Sequence, residues 1–246
     1  FFHPGLHDWS MQLELSSIHT LRATVDHLDG PIVSTLAIGD ECRSLVFNRS
    51  GELIFGSSQH VILGTRENWE TFLYREPTDI EFESEVVLEV ASNSDIIFAA
   101  VSDGNVYQIT PHQTTHEKVA LMNFDCVSNT PKLCASEEFL AILVGVRTLL
   151  IYSLLSKTEH EFVLPNTLMI SSSCFDTDGS LLLLDSVKER VSKYRITEGV
   201  VPQLLWACDG VKDGLAVCVD ITRKHGCIFV TGSSQKIHLI NKGSFD

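Results

Sequence analysis

His3 and His7 stand four residues apart, as do His112 and His116, a spacing that on a helix would turn both imidazoles of a pair toward one metal ion. His3-Pro4-Gly5 and Thr110-Pro111-His112 read as loops, however, and no carboxylate or cysteine at ligand spacing completes either set. Both pairs are therefore expected to be surface histidines. The seven cysteines, at 42, 126, 134, 174, 208, 218 and 227, contain no Cys-x-x-Cys pair, so no zinc site is expected. Most lie in apolar text such as Ala216-Val217-Cys218-Val219, as small buried hydrophobes of a reducing compartment do. Asp176-Thr177-Asp178-Gly179 opens like a calcium loop, but Ser180 to Leu184 supplies no further ligands and no closing Glu, which leaves a hairpin turn. Gly56-Ser57-Ser58-Gln59 and Gly232-Ser233-Ser234-Gln235 look like phosphate cradles, yet neither carries Gly-Lys-Ser/Thr nor opens a helix; both are expected between strands. No Gly-x-Ser-x-Gly elbow singles out a nucleophile. The expectation is a protein that is not an enzyme, with no catalytic residue, cofactor or metal. Three large aromatics near polar loop text, Trp9, Trp69 and Trp206, are the candidates for partner binding, because such side chains anchor interface centres; packing between sheets is their other reading.

Charge narrows the partner. Eighteen basic against thirty-two acidic residues leave a formal charge of -14, and the averaged field repels phosphate backbones, so no direct nucleic-acid binding is expected. A protein with a basic patch suits this field better. The richest basic stretch, Lys188 to Arg195, reads KERVSKYR and is expected to be a solvated strand face. The longest apolar run, Phe139 to Leu150, is broken by Gly145 and Arg147 and falls short of the roughly twenty residues of a membrane helix, so no membrane insertion is expected. The opening Phe1-Phe2-His3-Pro4 shows no secretory signal, and an intracellular place, cytoplasmic or nuclear, is expected. Asn48-Arg49-Ser50 has the form of a glycosylation sequon, but before Gly51 it reads as a turn.

The elements that must carry these residues are strands. Short β-branched and aromatic runs recur between Gly, Asp, Asn and Ser, among them Ser44 to Phe47, Ile96 to Val101, Leu140 to Val144, Leu181 to Leu184 and Cys227 to Val230. Asp103-Gly104 and Asp178-Gly179 supply the positive φ of tight hairpins and so predict antiparallel sheet. Turn markers at Gly51, Gly104, Arg147, Gly179 and Gly226 average about 44 residues apart, the length of a four-stranded propeller blade. From Gly56 to Gly232, the two Gly-Ser-Ser-Gln copies, is 176 residues, four such lengths. One sheet of this kind cannot bury both of its faces, so blades must stack. The expected fold is all-β: a single β-propeller domain over 1–246, with five to seven four-stranded antiparallel blades.

The best-preserved repeat runs from Val87 to Tyr107: Val87-Leu88-Glu89-Val90-Ala91, a small turn, Ile96 to Val101, Ser102-Asp103-Gly104, then Asn105-Val106-Tyr107. In order and spacing it resembles the repeat of the regulator of chromosome condensation family; the blade pattern is also similar to that of WD repeats. Pro31-Ile32-Val33 through Ala37-Ile38-Gly39, Ser44 to Phe47 and Phe55 to Gly64 looks like a second copy, and Lys132 to Leu143 and Gly214 to Gly232 look like weaker ones. Asn93 stands where the family has glycine, Ile96 where it has histidine, and Ile109-Thr110 where it has tryptophan-glycine. The resemblance implies a seven-bladed propeller, and its founding member promotes nucleotide exchange on a small GTPase. Nucleotide exchange on a small GTPase, or its regulation, is thus the alternative function, though no residue here is assigned to it. The leading expectation is a non-catalytic protein–protein interaction scaffold, a propeller subunit of a larger intracellular complex.

Overall fold

The computed structural model describes residues 10–16, 20–27, 30–37, 42–48, 53–57, 59–64, 78–82, 85–94, 96–110, 118–126, 130–219, 227–232 and 237–241. The chain divides into two compact units, Phe1–Arg43 and Ser44–Asp246. In the first, β1 (Ser10–Ser16), β2 (Thr20–His27) and β3 (Gly30–Ala37) form an antiparallel meander in that order. The register of β2 on β3 ends at the pair His27 and Gly30.

The second unit, entered by β4 (Cys42–Phe47), consists of successive meanders. The first joins β4, β5 (Leu53–Ser57), β6 (His60–Gly64) and β7 (Thr78–Glu81), and the second joins β8 (Val87–Ser92), β9 (Ile97–Val101), β10 (Asn105–Ile109) and β11 (Lys118–Asn123). The third joins β12 (Lys132–Ala135), β13 (Phe139–Val144), β14 (Thr148–Ser153) and β15 (Glu159–Val163). The fourth joins β16 (Ile170–Phe175), β17 (Leu181–Asp185), β18 (Arg190–Thr197) and β19 (Val200–Asp209). A last sheet has β20 (Gly214–Val219), β21 (Cys227–Gly232) and β22 (Ile237–Asn241). Every sheet keeps its strands in chain order, and four of the six described sheets are four-stranded, so the fold is the expected all-β propeller type of antiparallel blades.

Continuous apolar second strands explain why the sheets stack. In β9, Ile97, Ala99 and Val101 join a core with Ile54, Val61 and Ile80 of the preceding sheet, while Phe98 and Ala100 join one with Leu133, Leu140 and Ile142 of the next. β13 divides likewise, Leu140 and Ile142 facing back and Phe139, Ala141 and Leu143 facing Leu181 and Leu183. Leu182 and Leu184 of β17 then turn to Val217, Ile228 and Val230. Side chains alternate across a strand, so a strand with neighbours on both faces needs apolar residues at every position. The first strands adjoin one another, β12 lying against β8 and β16, and β16 against β20. The fourth strands face outward, as the exposed pattern of β15 and β19 shows.

Turn chemistry fits the hairpins. Gly104 and Gly179 adopt φ of +84° and +78°, and a Cβ on Gly104 would also stand 2.9 Å from the Phe124 carbonyl oxygen. The turn markers are not equivalent, however. Gly104 and Arg147 join second to third strands, Gly179 joins first to second, and Gly51 and Gly226 fall outside the described residues in first-to-second connections. A four-stranded blade has three hairpins able to use a glycine turn, the third used by Gly199 at φ +66° between β18 and β19, so markers drawn from different hairpins are unevenly spaced. The second repeat copy also straddles sheets: its Pro31–Ala37 portion belongs to β3 of the first unit, and only its remainder to β4, β5 and β6.

Candidate functional site

Rigid sheets present their first hairpin turns side by side. Those of the second, third and fourth sheets each open on a short polar residue that folds back on the backbone: Ile96 N–H donates to Asn93 Oδ1 at 3.0 Å, Phe139 N–H to Ser136 Oγ at 2.9 Å, and Thr177 N–H to Asp176 Oδ1 at 2.6 Å. Neighbouring turns are tied together, Asn93 Nδ2 donating to the Ser136 carbonyl and Ser94 Oγ donating to Glu137 Oε1 at 2.5 Å. Between these turns lies a hollow of about 560 Å³. Phe139 and Phe175 line it with apolar surface, Glu137, Glu138, Asp176 and Asp178 with carboxylates, and Arg195, Ile196 and Leu205 close one side.

The turn after β16 is held by a buried cation. Lys193 Nζ donates to Asp176 Oδ2 and to Asp178 Oδ2, both at 2.7 Å, with side-chain exposure of 10% for Lys193, 1% for Asp176 and 54% for Asp178. Burial works to lower the Lys193 pKa, but the bonds to Asp176 and Asp178 prevail and hold it above the usual lysine value. Burial likewise works to raise Asp178, and the Lys193 bond together with the Ser180 N–H leaves it below the usual carboxylate range. The expectation of a solvated face over Lys188 to Arg195 therefore fails at Lys193. Its place in β18 turns it inward beneath the Asp176–Ser180 turn, where two carboxylates compensate its charge. The same turn confirms a hairpin at Asp176-Thr177-Asp178-Gly179, with Asp176 N–H donating to the Ser180 carbonyl and Gly179 N–H to that of Asp176.

Polar side chains also join the first strands. Ser44 Oγ of β4 accepts from Val90 N–H and donates to Glu89 Oε1 of β8 at 2.6 Å, and Lys132 of β12 stands 3.6 Å from Glu89. Burial raises the Glu89 pKa against the opposing pull of Lys132 and Ser44. Cys134 Sγ meets Ser173 Oγ at 3.5 Å, and burial pushes that thiol up to about 12, so it packs as an inert hydrophobe. Cys218, expected to be buried, is instead exposed. On β20, Val217 packs against the fourth sheet whereas Leu215 and Cys218 occupy the opposite, accessible face.

A second surface feature lies on β19. Val200, Val201, Leu204 and Leu205 are all exposed, Val201 by 73%, four apolar side chains within six residues of an outermost strand. Trp206 follows them, half-buried and packed against the core between the fourth and last sheets. Trp9, Trp69 and both histidine pairs lie outside the described residues. Among the described residues no group of three or more His, Cys, Asp or Glu is placed to hold a metal ion. Among the described residues no helix is long and apolar enough to cross a membrane.

Sequence reading overlooked both the hollow and the apolar stretch. The hollow did have a signal: Asn48, Asn93, Ser136 and Asp176 each close a first strand, at spacings of 45, 43 and 40 residues. β19 had none, since VVPQLLWACD reads like any buried strand.

The class these features define is the β-propeller. Among solved structures the chain is similar to the β-propeller domain of Cps50 (Swd1) from Myceliophteria thermophila, with a TM-score of 0.62, 12% sequence identity, and coverage of 96% of this chain and 87% of that one. At that identity the likeness establishes the fold alone. No protein-family model matches the chain, and no curated protein matches its sequence.

Proposed function

We propose that the protein is a non-catalytic interaction scaffold, a propeller subunit of an intracellular complex in which residues 1–246 act as one domain. The observation that carries this reading is the exposed stretch Val200, Val201, Leu204 and Leu205 on β19. Apolar side chains exposed on an outermost strand cost solubility unless a partner covers them. β19 is also a sheet edge, whose outer N–H and C=O groups are open to an added strand. Trp206, beside this stretch, supplies the aromatic body that interface centres favour. The formal charge of -14 selects a partner whose contacting face is basic.

The test is a double substitution, Val201→Glu with Leu204→Glu. Both side chains are exposed, so the melting temperature is expected to change by no more than about 2 °C, in keeping with surface substitutions. Co-purification of the partners captured by the unaltered chain is expected to fall by at least about tenfold, the loss of roughly 1.4 kcal/mol or more of binding. Undiminished capture by a folded double variant contradicts the proposal.

A further inference from the structure

The hollow between the first turns of the second, third and fourth sheets has a composition that selects one kind of occupant. Its apolar surface comes from Phe139 and Phe175, both buried, and from Leu205, which is partly exposed and belongs to the β19 stretch. Its polar wall carries four carboxylates, Glu137, Glu138, Asp176 and Asp178. Asp176 and Asp178 are committed to Lys193, and Glu137 accepts from Ser94 Oγ. The Glu138 carboxylate meets no other side chain among the described residues, and it is exposed at the mouth. Ser92 Oγ, on the same wall, is buried with no hydrogen-bond partner among the described residues. A buried hydroxyl left in this state costs stability until a polar group reaches it.

We propose that this hollow receives a cationic side chain, an arginine or lysine, from the segment of a protein partner that lies along β19. This rests on the docking reading above. The aliphatic stem of such a side chain lies on Phe139, Phe175 and Leu205, and its charged head reaches Glu138 and Glu137, the division of apolar body and polar tip that long cationic residues make at surfaces. A volume of about 560 Å³ accommodates one long side chain with the backbone that delivers it. An anionic occupant meets net repulsion, because among the described residues the four carboxylates outnumber the nearby cations Lys193 and Arg195. A bare metal ion lacks a convergent set of three ligands among the described residues. Leu205 makes the hollow continuous with the β19 stretch, so one extended segment reaches both.

The probes are two capped tripeptides, acetyl-Leu-Arg-Leu-amide and acetyl-Leu-Glu-Leu-amide, titrated into the isotopically labelled full chain and followed by the amide resonances. The arginine peptide is expected to shift amides at 92–94, 136–139 and 176–180, and the glutamate peptide to leave them unmoved. Replacing Glu137→Gln and Glu138→Gln together, at two exposed positions, is expected to weaken the arginine peptide by at least about fivefold and to leave the fold intact. Equal shifts from the glutamate peptide, shifts confined to other residues, or an affinity that the double glutamine variant does not change would overturn the assignment. Partner capture separates this outcome from failure of the docking reading. Capture that survives the glutamine variant but is lost on Val201→Glu with Leu204→Glu leaves β19 as the interface and removes the hollow from it; capture indifferent to both variants defeats the docking reading itself.

Discussion

Lys193→Ala is expected to destabilise the protein by about 3–5 kcal/mol, because it strands Asp176 as a buried carboxylate without its cation. For a chain of this size that corresponds to a fall of roughly 6–20 °C in melting temperature, read by calorimetry at neutral pH. Asp178→Ala, at the exposed arm of the same triad, is expected to cost no more than about 1 kcal/mol. The contrast between the two is the diagnostic result: equal effects would place the stabilisation in surface charge and not in the buried pair.

The pH profile follows from the signs of the shifts. Asp178 is held below its ordinary value, so its contribution is present above about pH 4 and disappears as pH falls through its lowered folded value. Lys193 is held above its ordinary value, so its contribution is present below about pH 10 and disappears as pH rises through its folded value. The triad therefore contributes fully between those limits. In Lys193→Ala the stranded Asp176 gains by binding a proton, and the deficit relative to the unaltered protein is expected to shrink toward acid. A deficit that grows as pH is lowered from neutral would contradict this account.

Phe98→Ala is the second large effect, at about 3–5 kcal/mol. Phe98 is fully buried in β9 and packs in the core between the second and third sheets with Leu133, Leu140 and Ile142. Removing its ring leaves a cavity that neither sheet can close, since each is fixed on its other face by a further core. Denaturant unfolding is expected to show a lower midpoint with an unchanged slope. Phe98→Leu, which retains most of the volume, is expected to cost less than half as much.

Strand text and spacing made much of the architecture legible. Runs such as Leu181 to Leu184 are apolar at every position because both faces are buried, and the chain writes that directly. Gly56 and Gly232 both lie in the second strand of their sheets, Gly56 one residue before the end of β5 and Gly232 at the end of β21, so the Gly-Ser-Ser-Gln segments expected between strands begin within them. Glycine turns were ambiguous because a blade has three hairpins that accept them, so Gly104, Gly179 and Gly199 mark different hairpins of their sheets. The site was harder to read. Apolar residues in β13 and β19 look alike in sequence, but β13 lies between two sheets while β19 has no strand beyond it in its sheet. Lys193 was hidden for a related reason: its partners Asp176 and Asp178 lie in the turn between β16 and β17, and only the register of β17 against β18 brings them together.

The central claim is that β19 is the surface on which a protein partner sits. Amide hydrogen exchange, compared between the isolated chain and the chain purified with its partners, tests it most directly. The account predicts slower exchange over Val200–Asp209 in the complex, with the turns at 136–138 and 176–180 protected alongside it. Protection confined to other strands, with β19 exchanging as fast in the complex as in the isolated chain, would contradict it.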